Sequence, residues 1–255
     1  MTYLQGLLLS FIEGLTEFLP ISSTGHLIIT SHFLGIAEDG FVKSFNIIIQ
    51  FGAILSVLVL YHQRFRWNYE FYKRLLLAFL PAAVIGLLVK SKIDALLDSV
   101  NVVAWSLLIG GLVLIVSDRF VPEQNSSKYN IENLPYSRCI ALGFIQCLAF
   151  IPGVSRSGAS ILGGLGLGLS RKEAAEFSFF LAVPTLAGAT FIKSLKVWHD
   201  FQTLDNLKMI LFGSFFSFLF ATIAIVFFIR IVSRYGYKYF GIYRVLLGLF
   251  LILFV

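Results

Sequence analysis

Apolar runs close to bilayer-spanning length recur along the chain at about 44–61, 75–90, 101–117, 174–192, 209–229 and 240–255. About 20 apolar residues in a helix cross a hydrocarbon core of about 30 Å, so six crossings are predicted. Two further apolar segments, 2–19 and 138–151, stop at polar breaks. The first break reads Leu19-Pro20-Ile21-Ser22-Ser23-Thr24-Gly25-His26, and the second Pro152-Gly153-Val154-Ser155-Arg156-Ser157-Gly158. Each is followed by a second short apolar piece, 27–36 and 159–169. A helix of 14 residues reaches only about 21 Å, and the break at its inner end exposes backbone groups that need polar partners. Each pair is therefore predicted to be a re-entrant hairpin, whose irregular backbone is tolerated where protein buries it or where it lines a watery cavity.

The breaks also define a repeat. Phe11-Ile12-Glu13 matches Phe144-Ile145-Gln146 at an offset of 133, and the same offset aligns Ser22-Ser23-Thr24-Gly25 with Ser155-Arg156-Ser157-Gly158. Pro20 and Pro152 slip by one. Each half then holds one hairpin and three spans, repeat one over 1–118 and repeat two over 137–255, joined by the polar segment 119–136. An odd number of crossings turns the second copy upside down, so the two breaks meet near the midplane. The fold class expected is an all-α integral membrane protein with six transmembrane helices, two re-entrant hairpins and an inverted-topology internal repeat, in a single membrane domain.

Composition agrees. Of 255 residues, 58% are apolar and 13% charged, against about 25% charged in soluble domains, which leaves no room for a separate soluble domain. The first basic residue is Lys43, and Glu13 and Glu17 interrupt the N-terminal apolar run, so this segment reads as retained rather than as a signal peptide. The net charge of +6 invites a nucleic-acid reading until its distribution is counted. With 62–74 on the cytoplasmic side, thirteen basic residues fall inside, Arg119 and Arg244 among them, six outside, and Arg156 lies within the second hairpin. That bias is the positive-inside pattern, with both termini external and no nucleic-acid partner. Cys139 and Cys147 stand about 12 Å apart along one helix, too far to bridge, and read as small packing residues.

Glu13 and Glu17, four apart, share a helix face in a segment otherwise almost free of charge. They are either solvated acids on a surface helix or intramembrane functional groups, and the repeated hairpin favours the second. His26 closes the Ser-Ser-Thr-Gly-His turn within reach of its hydroxyls. A lone His is ordinarily a packing residue, but beside serines and acids it completes a general base and nucleophile. His32, His62 and His199 lack such company and read as interfacial. Arg156 needs an anion at that depth. Glu13 or Glu17 would make it a buried ion pair. Alternatively, with Ser155, Ser157, Gly158 and Ser160 at a helix start, it would hold phosphate, as would Ser22, Thr24 and Gly25 in the matching turn. Both readings stand. The glycine run Gly163 to Gly168 lacks the strand of a dinucleotide fingerprint and reads as close helix packing.

Glu13-Gly-Leu-Thr-Glu17-Phe-Leu-Pro-Ile-Ser-Ser-Thr-Gly-His26 together with Pro152-Gly-Val-Ser-Arg156-Ser-Gly closely resembles the undecaprenyl-diphosphate phosphatase family, also called bacitracin-resistance proteins. Length, span count and motif spacing match along nearly the whole chain, with Ser160 where the family commonly has Thr. The resemblance implies an active site of Glu13, Glu17, Ser23, His26 and Arg156, and cleavage of a long polyprenyl diphosphate to monophosphate and inorganic phosphate. It also implies an outward-facing site in a bacterial plasma membrane, recycling of a cell-wall lipid carrier, bacitracin resistance, and dependence on a divalent cation, magnesium or calcium. On that basis Arg156 and the turn N–H groups neutralise the phosphate, Ser23 or a water attacks, and His26 takes the proton. Glu13 and Glu17 then hold the metal or orient His26. The partners expected are the lipid substrate and the bilayer, with room for a homodimer. The rival is a lipid-phosphate flippase or anion transporter, because inverted repeats with broken helices also build transporters.

Overall fold

A computed structural model describes residues 1–66, 68–89, 96, 99–117, 128–196 and 203–254. Lys90, Lys92, Arg119, His199 and residues 119–127 of the connecting segment lie outside the described residues.

The described residues form helices and no strand. A first helix pair, α1 (Tyr3–Thr16) and α2 (Ser23–Phe33), precedes α3 (Gly40–Leu60), α4 (Tyr69–Leu88) and α5 (Val100–Ser117). A second pair follows: α6 (Tyr136–Gln146), extended by a 3-10 turn over Cys147–Phe150, and α7 (Arg156–Gly166). It precedes α8 (Arg171–Lys196), α9 (Leu204–Tyr235) and α10 (Lys238–Phe254). Five of these, α3, α4, α5, α8 and α9, are long and apolar enough to cross a membrane. The 17-residue α10 covers the sixth apolar run.

Local chemistry sets the ends. Thr2 and Gln5 form a capping box at the start of α1, pairing two backbone donors that the first turn leaves free. Thr203 accepts from the Asn206 N–H and starts α9 five residues before the apolar run begins. At its other end Arg230, Ser233 and Arg234 continue the helix, since polarity ends an apolar run without ending a helix. The 32 residues of α9 span about 48 Å and outreach the hydrocarbon core.

α1 lies along α9 and α6 along α4, while α3 touches α8 and α9 and α5 packs on α10. Small residues make these crossings close. A Cβ on Gly14 would stand 2.6 Å from the Ser217 carbonyl oxygen on α9, and one on Gly143 would stand 2.5 Å from the Ala78 carbonyl oxygen on α4. In the glycine run, Gly163 packs on Leu142 and Gly168 turns the chain at φ +93°. Both cysteines are free, with Cys139 buried. The largest apolar cluster gathers Phe18 with Phe177, Phe179 and Phe180 of α8 and Phe228 of α9, and Phe18 meets Phe179 edge to face at 5.3 Å. Through Phe18 and Leu19 it adjoins the first helix break.

Candidate active site

Both breaks end in the same device. Ser22 caps α2 and Ser155 caps α7, each accepting from the N–H three residues on, Gly25 at 3.2 Å and Gly158 at 3.0 Å. Among the described residues they are the only non-glycine positions with positive φ, 71° and 76°, a conformation that costs energy and persists where the surroundings enforce it. The residues that follow the strained caps are Ser23, which reaches back to its own hairpin, and Arg156, which reaches across to the first.

Those two converge on one carboxylate. Arg156 Nη2 donates to Glu17 Oε1 at 2.7 Å, and Ser23 Oγ donates to Glu17 Oε2. Arg156 Nη1 donates to the Ser178 carbonyl at 2.8 Å, and Phe18 lies 5.9 Å below the guanidinium carbon. The Nε–H of Arg156 is buried without a partner. Glu17, Ser23, Thr24 and Arg156 open onto a cavity of about 220 Å³, walled also by Ser22, Ser155, Gln50 and Gln146. The ion-pair reading of Arg156 is thus the observed geometry, at the edge of the cavity.

Other expected site residues have different tasks. Glu13 is fully buried beside Glu17, and neither of its oxygens has a hydrogen-bond partner. His26, expected beside the turn hydroxyls, makes no hydrogen bond to Ser23. Its Nδ1 meets the Ser22 carbonyl at 2.7 Å and its Nε2 the Tyr243 hydroxyl at 2.7 Å. A carbonyl only accepts, so Nδ1 carries hydrogen, and in the neutral ring Nε2 accepts from Tyr243. The N–H groups of Gly25 and Gly158 are already taken by the caps. Ser157 Oγ donates to the Leu19 carbonyl at 2.6 Å, tying one break to the other, and Ser160 Oγ to Ser178 Oγ at 2.7 Å. Of the expected phosphate-binding set, Ser22, Thr24 and Ser155 line the cavity, whereas Gly25, Ser157, Gly158 and Ser160 do not. His32 and His62 are exposed.

Two residues escaped the sequence reading. Gln146, at the repeat offset from Glu13, is 1% exposed and lines the cavity with both side-chain polar atoms unpaired. Arg244 was counted among the cytoplasmic charges, and the structure corrects this: it is 1% exposed, inside the protein. Its Nη1 donates to the carbonyls of Pro20 and Val154, each at 3.0 Å, and its Nη2 to those of Ser106 at 3.0 Å and Gly153 at 2.9 Å. It therefore binds both breaks to α5. Gly110 makes the space, since a Cβ there would stand 2.1 Å from Nη2. The available signal was its place seven residues into the apolar α10, opposite the Gly110-Gly111 pair.

Glu13 and Glu17 set two carboxyl groups beside the single guanidinium of Arg156, and a buried carboxylate with no partner is costly. The orphaned oxygens of Glu13 fit a cation. Among the described residues no group of three or more His, Cys, Asp or Glu could hold a metal ion, so the fit rests on the carboxyl groups of Glu13 and Glu17 alone.

Comparison with known proteins follows this geometry. The protein-family model described as bacitracin resistance protein BacA matches residues 6–250. An undecaprenyl-diphosphatase of Bdellovibrio bacteriovorus is 52% identical over 99% of this chain and 96% of its own length. Proteins of the same name are 51% identical in Flavobacterium psychrophilum, over 99% of this chain and 96% of theirs, and 44% identical in Persephonella marina, over the full length of both.

Proposed function

The chain belongs to the bacitracin resistance protein family, and from that premise we propose that it is a membrane phosphatase cleaving a polyprenyl diphosphate, of undecaprenyl type, to the monophosphate and inorganic phosphate. The observation that carries this is Glu17, whose two oxygens hold Arg156 and Ser23 at the rim of one cavity. Phosphoryl transfer needs positioning and charge neutralisation more than covalent machinery, and this arrangement supplies both. The terminal phosphate lies against the Arg156 guanidinium, the Thr24 hydroxyl and the Gln146 side chain. Ser23 Oγ, or a water in its place, attacks the terminal phosphorus in line. Its proton passes to Glu17 Oε2, the bridging P–O bond breaks, and the lipid monophosphate leaves. Where a phosphoserine forms, water attacks its phosphorus, the bond to Ser23 Oγ breaks, and inorganic phosphate leaves with the Ser23 hydroxyl restored.

The direct Ser23 to Glu17 hydrogen bond favours Glu17 over His26 as the proton acceptor. His26, fixed by the Ser22 carbonyl and Tyr243, stiffens the turn that carries Ser23. Magnesium or calcium would be held by Glu13 and Glu17 and would supply screening of the diphosphate charge.

The same reading includes six spans with α10 as the sixth, re-entrant pairs α1–α2 and α6–α7, and an inverted repeat of 1–118 and 137–255 about the 119–136 connection. In support, Ser22 and Ser155 share backbone conformation and cap at the 133 offset, and the α1–α9 contact is matched by α6–α4. The site then faces outward from a bacterial inner membrane. Recycling of the cell-wall lipid carrier, and with it bacitracin resistance, follows from such an activity.

Protein purified in detergent should release one inorganic phosphate for each polyprenyl diphosphate converted. A protein that moves the lipid across vesicles and releases no phosphate would instead be the flippase or anion transporter.

A further inference from the structure

Two hydrogen bonds run inward from the protein's surface to the turn that carries Ser23. Tyr243 on α10, 43% exposed, bonds through its hydroxyl to His26 Nε2 at 2.7 Å. The two rings also stack, with centroids 5.6 Å apart and planes 11° from parallel. His26 Nδ1 in turn donates to the Ser22 carbonyl at 2.7 Å, and Ser22 is the first of the two strained caps. Neither His26 nor Tyr243 lines the cavity onto which Glu17 and Arg156 open.

The second break has no such tether. At the 133-residue offset His26 corresponds to Ala159 and Tyr243 to Gly110. Ser155 nevertheless holds the same cap at φ 76°, so the cap by itself does not require the pair. What differs is the residue that follows. Arg156 is placed at its far end, by Glu17 and by the Ser178 carbonyl. Ser23 has a one-atom side chain, so its Oγ goes wherever the turn backbone goes. Arg244 holds carbonyls of both breaks, which leaves the bond from Tyr243 as the restraint particular to the first.

We propose that Tyr243 is a positioning residue for phosphate transfer, donating its hydroxyl hydrogen to His26 Nε2 and so keeping the imidazole on the Ser22 carbonyl and Ser23 Oγ on Glu17. This deepens the phosphatase reading and rests on the part Ser23 plays in it. The hydrogen bond made by one ring nitrogen fixes the state of the other. Without Tyr243 the Nε2 lone pair has no donor, which is costly away from water. The ring then turns toward other partners and releases a backbone conformation that persists only where its surroundings enforce it.

Tyr243→Phe keeps the stacked ring and removes only the hydroxyl, at a half-exposed position where the fold tolerates it. Tyr239→Phe, one turn earlier on α10 and 53% exposed, is the control. A misplacement of about 1 Å costs about a hundredfold in rate, and the stack retains part of the restraint, so Tyr243→Phe should lower kcat by about tenfold. KM for a polyprenyl diphosphate should stay within about twofold, because Arg156, Thr24 and Gln146 are untouched, and the melting temperature should match wild type. Tyr239→Phe should match wild type throughout. Wild-type kcat in Tyr243→Phe, a loss carried by KM, or a loss that follows the melting temperature overturns the proposal.

NMR of the detergent-purified protein carrying isotope-labelled histidine gives a readout independent of turnover. Of the four histidine signals, the one absent from His26→Gln belongs to His26. In wild type it should show a protonated Nδ1 and a bare Nε2 that accepts a hydrogen bond. In Tyr243→Phe the Nε2 resonance should move toward that of an unbonded imidazole nitrogen, and in Tyr239→Phe it should stay. An unmoved Nε2 resonance in Tyr243→Phe, or hydrogen on Nε2 in wild type, overturns the tether. Wild-type protein that releases no phosphate would sink the phosphatase reading, and the Nε2 resonance would still decide whether Tyr243 holds His26.

Discussion

Arg156 and Glu17, 139 positions apart, meet through a 2.7 Å bond from Nη2 to Oε1 at the junction of the two helix breaks. The pair is nearly closed to solvent, with side chains 10% and 5% exposed. A buried ion pair is weak evidence for stability, because desolvation offsets much of the attraction. Its use here is alignment. Glu17 fixes the plane of the guanidinium while accepting the Ser23 hydroxyl on its other oxygen, so Ser23 and Arg156 are held in fixed positions on one carboxylate.

Arg156→Lys tests that alignment. Lysine keeps the charge and can satisfy Glu17, but it lacks the planar fork that binds Glu17, Ser178 and a phosphate at once. Losing a preorganised donor to the developing charge typically costs about a hundredfold, and that is the drop expected in kcat with the melting temperature near wild type. Turnover and melting measured on the same preparations decide the matter. Full activity in Arg156→Lys would reduce the residue to a counter-ion for Glu17.

Glu17→Gln and Glu13→Gln separate the two acids. Glu17→Gln should abolish phosphate release while the protein stays folded, because an amide can no longer take the Ser23 proton. Glu13→Gln replaces an unpartnered buried carboxyl group with a neutral amide, so stability should hold, and turnover should fall while the requirement for magnesium or calcium weakens. If Glu13→Gln turns over normally under saturating metal, that carboxylate has no part in catalysis.

Much of this site was legible because period, composition and charge are written locally. The apolar runs located the helices, and the Pro/Ser/Gly breaks located Ser22 and Ser155, whose matching positive φ angles follow the 133-residue offset. Side-chain partnering across the fold was not legible. Nothing local says that the capping serines consume the Gly25 and Gly158 N–H groups, or that His26 turns to Tyr243, 217 positions away. Arg244 shows the limit most clearly, since an arginine near the end of a membrane helix reads as a cytoplasmic charge until its four carbonyl partners are seen.

Gln146 should contribute to phosphate binding through its unpaired amide. Gln146→Leu removes a buried polar group that lacks partners in the free protein, which leaves stability unchanged or improved by about 1 to 3 kcal/mol, and it should raise KM for the diphosphate. Gln146→Glu places a negative charge at the phosphate and should lose far more activity than Gln146→Leu. Melting curves beside steady-state kinetics are the check. If Gln146→Leu lowers stability and leaves KM alone, the amide is structural.

Arg244 should behave in the opposite way, with stability and activity falling together. Its guanidinium satisfies carbonyls of Pro20, Gly153, Val154 and Ser106, and each hydrogen bond from a charged donor contributes about 1.5 to 3 kcal/mol. Arg244→Met takes the charged donor away from four carbonyls, so its melting temperature should drop steeply. Arg244→Lys has three donors on a flexible stem and cannot span two breaks and α5 at once, so it should melt between wild type and Arg244→Met. In the fraction that stays folded, turnover should also fall, because Ser23 and Arg156 follow directly on the breaks that Arg244 holds and a displacement of about 1 Å costs about a hundredfold in rate. Differential scanning fluorimetry paired with phosphate release at a temperature where every variant is folded measures both. An Arg244→Met protein that melts like wild type would show that the two breaks hold their geometry without it.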